Sequence, residues 1–287
     1  MERREFLTSM LQGSLTAVLL PESIRSRLLT AYAQPYHFSD DPQHTSRITA
    51  IGIGQFGSCC TRLLAYSVPT VCCSNLAAHP DQLQDSGLHG LDTAMQPNNL
   101  LFLLADRSQP LSAAALTACM TTAAAVGVQT IVVGPRPVED QLPSTGTNSL
   151  PLHCAVADPL TARNLVALVA DLINTDSFVG IDHGDVKAIL KSGRHGTVVS
   201  NEVSGPDRAA SAAAVVLEQL QNQGFGPANC RGAMACIYGS PSMPFDDYHQ
   251  AITMLDHYFS PDISFIFGSV VDEKLNGSIR LVILATR

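Results

Sequence analysis

Charge is scarce in this 287-residue chain, at 15% of residues, and it leans acidic, with a formal net charge of −8. No segment carries a basic stripe, which excludes a nucleic-acid surface. No apolar run has the ~20 residues that span a bilayer as a helix. The eight cysteines, at 59, 60, 72, 73, 119, 154, 230 and 236, form no C-x-x-C pair. They sit mostly in apolar runs and read as small buried hydrophobes rather than as metal ligands. One more absence is local: from Ile51 to Pro80 there is no Asp or Glu.

That last absence falls beside the most suggestive stretch of the chain, ITAIGIGQFGSCCTRLL at 48–64. Ile48, Ala50, Ile51 and Ile53 read as a strand. Gly52-x-Gly54-x-x-Gly57 then reads as a tight turn into a helix. Glycines at this spacing let the backbone approach a phosphate at a helix N-terminus. A dinucleotide fold would also place an acidic residue about twenty positions on, for the ribose hydroxyl. None is there, so a Rossmann-like dinucleotide protein is the weaker alternative.

Residues 34–47 are polar and proline-containing and read as a linker. The folded body starts at Ile48. Strand-like runs at 48–53, 69–73, 100–104 and 129–134 alternate with helix-like runs at 57–66, 77–84 and 111–126, which implies a parallel sheet with crossover helices. LLFLLA at 100–105 lacks alternation, as a strand covered on both faces does. A loop follows at 135–151. A long helix is expected at 159–174, with Leu165, Leu168, Val169 and Leu172 on one face. Strands at 196–202, 231–238, 263–270 and 278–286 and helices at 206–222 and 244–258 then form a second α/β unit.

The N-terminus has two readings. Arg3-Arg4-x-Phe6-Leu7 with Ala31-Tyr32-Ala33 resembles a twin-arginine export signal with its cleavage site. Against that, Pro21, Glu22, Arg25 and Arg27 interrupt the apolar stretch. Phe6 and Met10, and Leu7 and Leu11, recur at four-residue spacing, as on an amphipathic helix able to dock on the body, a partner or a membrane surface.

Further along, Gly180-Ile181-Asp182-His183-Gly184-Asp185 precedes a helix, and Ser204-Gly205-Pro206-Asp207-Arg208-Ala209 opens another. With Cys230-Arg231-Gly232-Ala233 and the closing strand RLVILAT, these resemble the tubulin/FtsZ superfamily on its bacterial division-protein side, over about residues 48–287. The resemblance implies an α/β fold with a parallel-sheet nucleotide-binding domain (48–158), a central helix (159–179) and a smaller mixed-sheet domain (180–287). Residues 1–33 form the N-terminal segment. It also implies a cytoskeletal, cytoplasmic subunit that binds GTP or GDP, with Mg2+ only alongside the nucleotide. Its partners would be further copies or an FtsZ-like paralogue in a head-to-tail filament.

Carried onto this chain, the nucleotide-contacting positions are Gly52, Gly54, Gln55, Gly57, Ser74, Asn75, Arg107 and Ser108. Asp158 is the one position offered toward the base. Asp182 and Asp185 match the acidic loop that reaches the neighbouring subunit's nucleotide and positions the attacking water. Two aspartates before a helix are also ordinary caps. No metal site is implied.

The departures are as informative. The family's phosphate loop is glycine-rich, close to GGGTGTG. Here Ser108-Gln109-Pro110-Leu111-Ser112-Ala113-Ala114 takes its place. Pro110 removes a backbone N–H and fixes φ. The expectation is a filament-forming or filament-modulating subunit with weakened or lost GTP turnover, one able to donate its acidic loop to a neighbour. The alternatives are an active GTP-binding GTPase of divergent sequence and a non-polymerising scaffold. The chain ends on its final strand, without the tail by which relatives recruit membrane tethers, so membrane contact would fall to residues 3–20.

Overall fold

A computed structural model describes residues 48–76, 99–135, 151–174, 181–259 and 261–287. The expected N-terminal segment, the linker, the 77–84 helix and most of the 135–151 loop lie outside the described residues.

The chain order is β1 (Ile48–Ile53), α1 (Gly54–Ser67), β2 (Val71–Leu76), β3 (Leu100–Ala105), α2 (Pro110–Val126), β4 (Gln129–Gly134), β5 (Leu152–Ala155) and α3 (Pro159–Asn174). It continues with α4 (His183–Lys191), β6 (His195–Ser204), α5 (Arg208–Asn222), β7 (Gly232–Gly239), α6 (Phe245–Tyr258), β8 (Ser264–Val271) and β9 (Ser278–Thr286). All the strands join one sheet in the order β2-β1-β3-β4-β5-β6-β9-β7-β8. β1 to β6 pair in parallel, and β9 runs antiparallel to both β6 and β7. The short pairing of His153, Cys154 and Ala155 with His195, Gly196 and Thr197 carries the sheet from the first α/β unit into the second.

β1, β3 and β4 are buried along their whole length, as their unbroken apolar runs require. One face of the sheet is covered by α1, α3 and α4, whose Leu64, Leu168 and Ile189 share a core with Phe102 and Leu284. The other face is covered by α2 over Ile51, Leu103 and Val132. Farther along, α5 and α6 pack there over Ile237 and Ile283. α2 is bounded as its sequence dictates, by Pro110 in its first turn and by left-handed Gly127 (φ 78°) at its end.

The central helix α3 is tied to the second unit. The Tyr238 hydroxyl donates to Asp171 Oδ2 at 2.8 Å. The Arg280 guanidinium lies 4.4 Å over the Tyr238 ring and pairs with Asp272 at 3.1 Å.

Two strands differ from expectation. β2 starts at Val71 rather than 69, because Pro69 and Thr70 make the turn from α1, and it runs on through polar Ser74 and Asn75. β5 occupies four residues between the loop expected at 135–151 and the helix expected at 159–174, where no element is expected. The cysteines also divide. Five are buried, whereas Cys59 and Cys73 are half-buried and Cys72 is exposed. β2 is an edge strand of the sheet, and Cys72 is exposed on it. Burial pushes the Cys60 thiol up to about 12 and Cys119 to about 11.

Candidate functional site: a crevice where the strand order reverses

From β1 the chain crosses to β2 on one side, and from β3 it crosses to β4 on the other. Right-handed crossovers then put α1 and α2 on opposite faces. The strand ends Ile53 and Ala105 are in register, and beyond them a crevice opens between two helix N-termini. In open α/β sheets this is where ligands sit. Neither α1, entered from Ile53, nor α2, entered from Gln109, has a side-chain cap on its first N–H groups. Both N-termini therefore keep donors and positive potential toward the crevice.

The three glycines have different jobs. A Cβ on Gly52 would lie 2.4 Å from the Gly57 carbonyl oxygen, and one on Gly57 would lie 2.2 Å from the Leu104 carbonyl oxygen. These two are glycines because α1 begins pressed onto β1 and β3. Gly54 has φ +70° and turns the chain. A Cβ there would meet Ser112 Oγ at 2.5 Å and Gln109 Oε1 at 3.7 Å. The start of α2 thus lies directly against the glycine turn of α1.

The segment between β3 and α2 is closed on itself. Asp106 Oδ1 accepts the Ser108 backbone N–H at 2.9 Å and the Ser108 hydroxyl at 2.7 Å. The Gln109 carbonyl accepts the Ala113 N–H at 3.0 Å. Pro110 contributes no N–H. Ser112 is buried and Arg107 half-buried.

The structure brings most of the sequence-derived positions together. Gly52, Gly54, Gln55 and Gly57 lie at the β1–α1 junction, with Gln55 exposed on the first turn. Asn75 faces Gly52 from β2, and its Oδ1 accepts the Thr61 hydroxyl at 2.7 Å. Ser74 is exposed beside it. Arg107 and Ser108 follow the end of β3. Asp158 caps α3: its Oδ1 accepts the N–H groups of Leu160 and Thr161 at 2.8 and 2.9 Å. The Thr161 N–H is the main reason its carboxyl sits below the usual range.

Asp182 and Asp185 are elsewhere. They begin α4, which packs under β7 and β8 beyond the far end of α3. The sixteen residues of α3 span about 24 Å. The two form a reciprocal capping box, in which Asp182 Oδ1 accepts the Asp185 N–H at 2.8 Å and Asp185 Oδ2 accepts the Asp182 N–H at 3.2 Å. Both carboxylates are solvent-facing, each with its second oxygen outside that box.

Sequence reasoning missed Gln109 and Ser112 as the residues that meet Gly54, and Thr61 as the partner of Asn75. Only Thr61 carried a signal, at the fourth position after Gly57 on a helix face turned to β2. His153 and Cys154, neighbours on β5, point to opposite sides of the sheet. His153 is buried with neither ring nitrogen bonded among the described residues, and burial pushes its pKa down to about 4. The pair is no dyad.

Residues 196–287 match the family described as "FtsZ family, C-terminal domain". A cell division protein FtsZ from Rhizobium radiobacter is 26% identical over 121 residues, 42% of this chain and 21% of that protein. A second, from Methanothermobacter thermautotrophicus, is 28% identical over 159 residues, 54% of this chain and 40% of that protein. The matched segments thus span well under half of those relatives. Among solved structures, an empty FtsZ dimer from M. jannaschii is similar with TM-score 0.65 at 14% identity, over 93% of each chain. A GTPγS-bound protofilament of CetZ2 from Haloferax volcanii gives 0.56 at 14% identity, over 84% of this chain and 92% of that one. Residues 196–287 thus match the C-terminal domain of the FtsZ family, and the chain has an FtsZ fold along nearly all of its length.

Proposed function

We propose that this protein is an FtsZ-like filament subunit, or a modulator of such a filament, that does not turn over GTP by itself. The observation that carries this reading is the segment 106–112. Its carboxylate and hydroxyl bond to each other, a prolyl ring stands in the first turn of α2, and Gln109 and Ser112 rest on Gly54. A phosphate-gripping loop needs free N–H groups and room over its glycines. Asp106 also adds negative charge beside the position a phosphate would take.

The capping box leaves the Asp182 and Asp185 carboxylates on the surface at the far end of α3. That placement favours a role toward a neighbour rather than toward the chain's own crevice. The self-association of the similar FtsZ dimer and CetZ2 protofilament favours a head-to-tail polymer. Retained GTP binding is the second reading. The two uncapped helix N-termini at the crevice favour it, together with the three glycines that Gly52, Gly54 and Gly57 supply.

Nucleotide extraction from purified protein, GTPase assay and electron microscopy of the same sample test both readings. No bound guanine nucleotide, no phosphate release alone and filaments alone or with an FtsZ partner are the expected results. Stoichiometric GTP with steady hydrolysis by the protein alone overturns the proposal in favour of the second reading.

A further inference from the structure

The second helix is unusual in having no charged residue in any of its seventeen positions, PLSAAALTACMTTAAAV. Its inner face, Ser112, Ala115, Leu116, Cys119 and Ala123, is buried on the sheet. Leu111, Ala114, Ala118, Thr121 and Ala125 are exposed on the other side. They fall within an arc of about 80° at 3.6 residues per turn. Leu111 is 50% exposed and Val126 42%. The threonines add no polarity. The hydroxyls of Thr117, Thr121 and Thr122 donate to the carbonyls of Ala113, Thr117 and Ala118 at 2.9, 2.9 and 3.1 Å, which leaves their methyl groups to face outward. A helix that is apolar all round is one that is covered on both sides.

Residues 6–20, FLTSMLQGSLTAVLL, are equally free of charge. Where the outer stripe of α2 is built from small side chains, this segment carries large ones, with Leu7, Leu11 and Leu15 at four-residue spacing. Large side chains set against small ones let two helices approach closely. The path is short. Ile48 is in register with Leu100, and Leu100 with Gln129, the residue that begins β4 just after α2 ends. Two strand spacings are about 10 Å. The polar residues 34–47 reach as far as about 46 Å when extended. The whole of α2 is about 26 Å long.

We propose that residues 6–20 of the same chain pack along the exposed face of α2, from its C-terminal end toward Leu111 at the rim of the crevice. The chain's own N-terminal segment is then the missing layer on this helix. Full-length protein with p-benzoylphenylalanine in place of Leu11 tests it by irradiation and peptide mapping. Adducts within one chain to the peptide 111–126 are expected, and Ala118→Glu and Ala125→Glu, at exposed sites, should each remove most of them. Four results overturn the proposal. They are adducts only elsewhere in the chain, adducts only between two chains, α2 adducts that both Glu variants leave unchanged, and a protein whose N-terminus starts near Gln34. Binding of the wild-type chain to phosphatidylglycerol vesicles in place of the α2 adduct would assign the segment to a lipid surface and overturn it too.

Discussion

Two turns in this molecule lead from a strand into a helix, and they are anchored in opposite ways. At 204–208, Gly205 (φ +97°) and Asp207 (φ 54°) bend the chain sharply. Arg208 then binds outward. Its guanidinium meets Asp247 of α6 at 2.6 Å and the Gly277 carbonyl before β9 at 2.6 Å. At 106–112, Asp106 binds its own neighbour Ser108, and among the described residues no ion pair ties that turn to a distant element. The first turn is fixed because three parts of the fold depend on it. The second holds itself locally, through the bonds of Asp106 to Ser108. The turn at 204–208 therefore carries a packing duty, whereas the turn at 106–108 is bonded mainly to itself.

The contrast breaks most severely at Gly57. Its duty is packing, so Gly57→Ala sets a methyl 2.2 Å from the Leu104 carbonyl oxygen, in backbone that cannot yield. A destabilisation of about 3 kcal/mol or more is expected. A urea unfolding curve checks it, and a variant as stable as the parent would return Gly57 to the list of ligand-made glycines.

A second probe uses His153, whose burial gives it a large but conditional cost. Its pKa is lowered from 6.5 to about 4 in the folded chain. The unfolded chain then binds more protons between those values. Stability should be full above pH 6.5 and fall as the pH drops toward 4, by at most about 3 kcal/mol from this group. His153→Leu should flatten that part of the pH profile. An unchanged slope in the difference between the two unfolding curves would sink the claim.

The sheet was legible because its strands are apolar without alternation or end on glycine and proline. LLFLLA and RLVILAT leave little else to read. β5 was not, because four residues, LHCA, are too few for any period, and only the flanking strands make them a strand. The start of α1 was read three residues late, since Gly54 punctuates the sequence as a turn while belonging to the helix. The crevice was half legible. The glycines could be found, but Ser112 and Gln109 lie over fifty positions from Gly54, and only the fold lays them on it. At Asp182 and Asp185 one spacing allowed two readings, and the fold shows the cap.

A smaller effect is expected at Arg208. Its ion pair with Asp247 is partly exposed, with side chains at 19% and 21% accessibility, so screening limits its worth. Arg208→Met should cost roughly 2 kcal/mol, most of it from the unpaired Asp247 and the Gly277 carbonyl. A double-mutant cycle with Asp247→Asn isolates the pair. Independent, additive losses would mean that the turn at 204–208 is no better anchored than the one at 106–112.

The smallest effect separates structure from function at the acidic loop. Asp182→Ala removes the acceptor for the Asp185 N–H and should cost about 1 kcal/mol, as loss of an N-cap does. Asp182→Asn keeps an acceptor oxygen there and should leave the unfolding midpoint within ~0.5 kcal/mol of the parent. The same two variants should have equal effects on a partner: each abolishes any stimulation of GTP hydrolysis by an active FtsZ added in trans, because the carboxylate charge is gone in both. If stimulation follows stability instead, surviving in Asp182→Asn and falling only in Asp182→Ala, the aspartate is a cap and the acidic loop donates nothing to a neighbour.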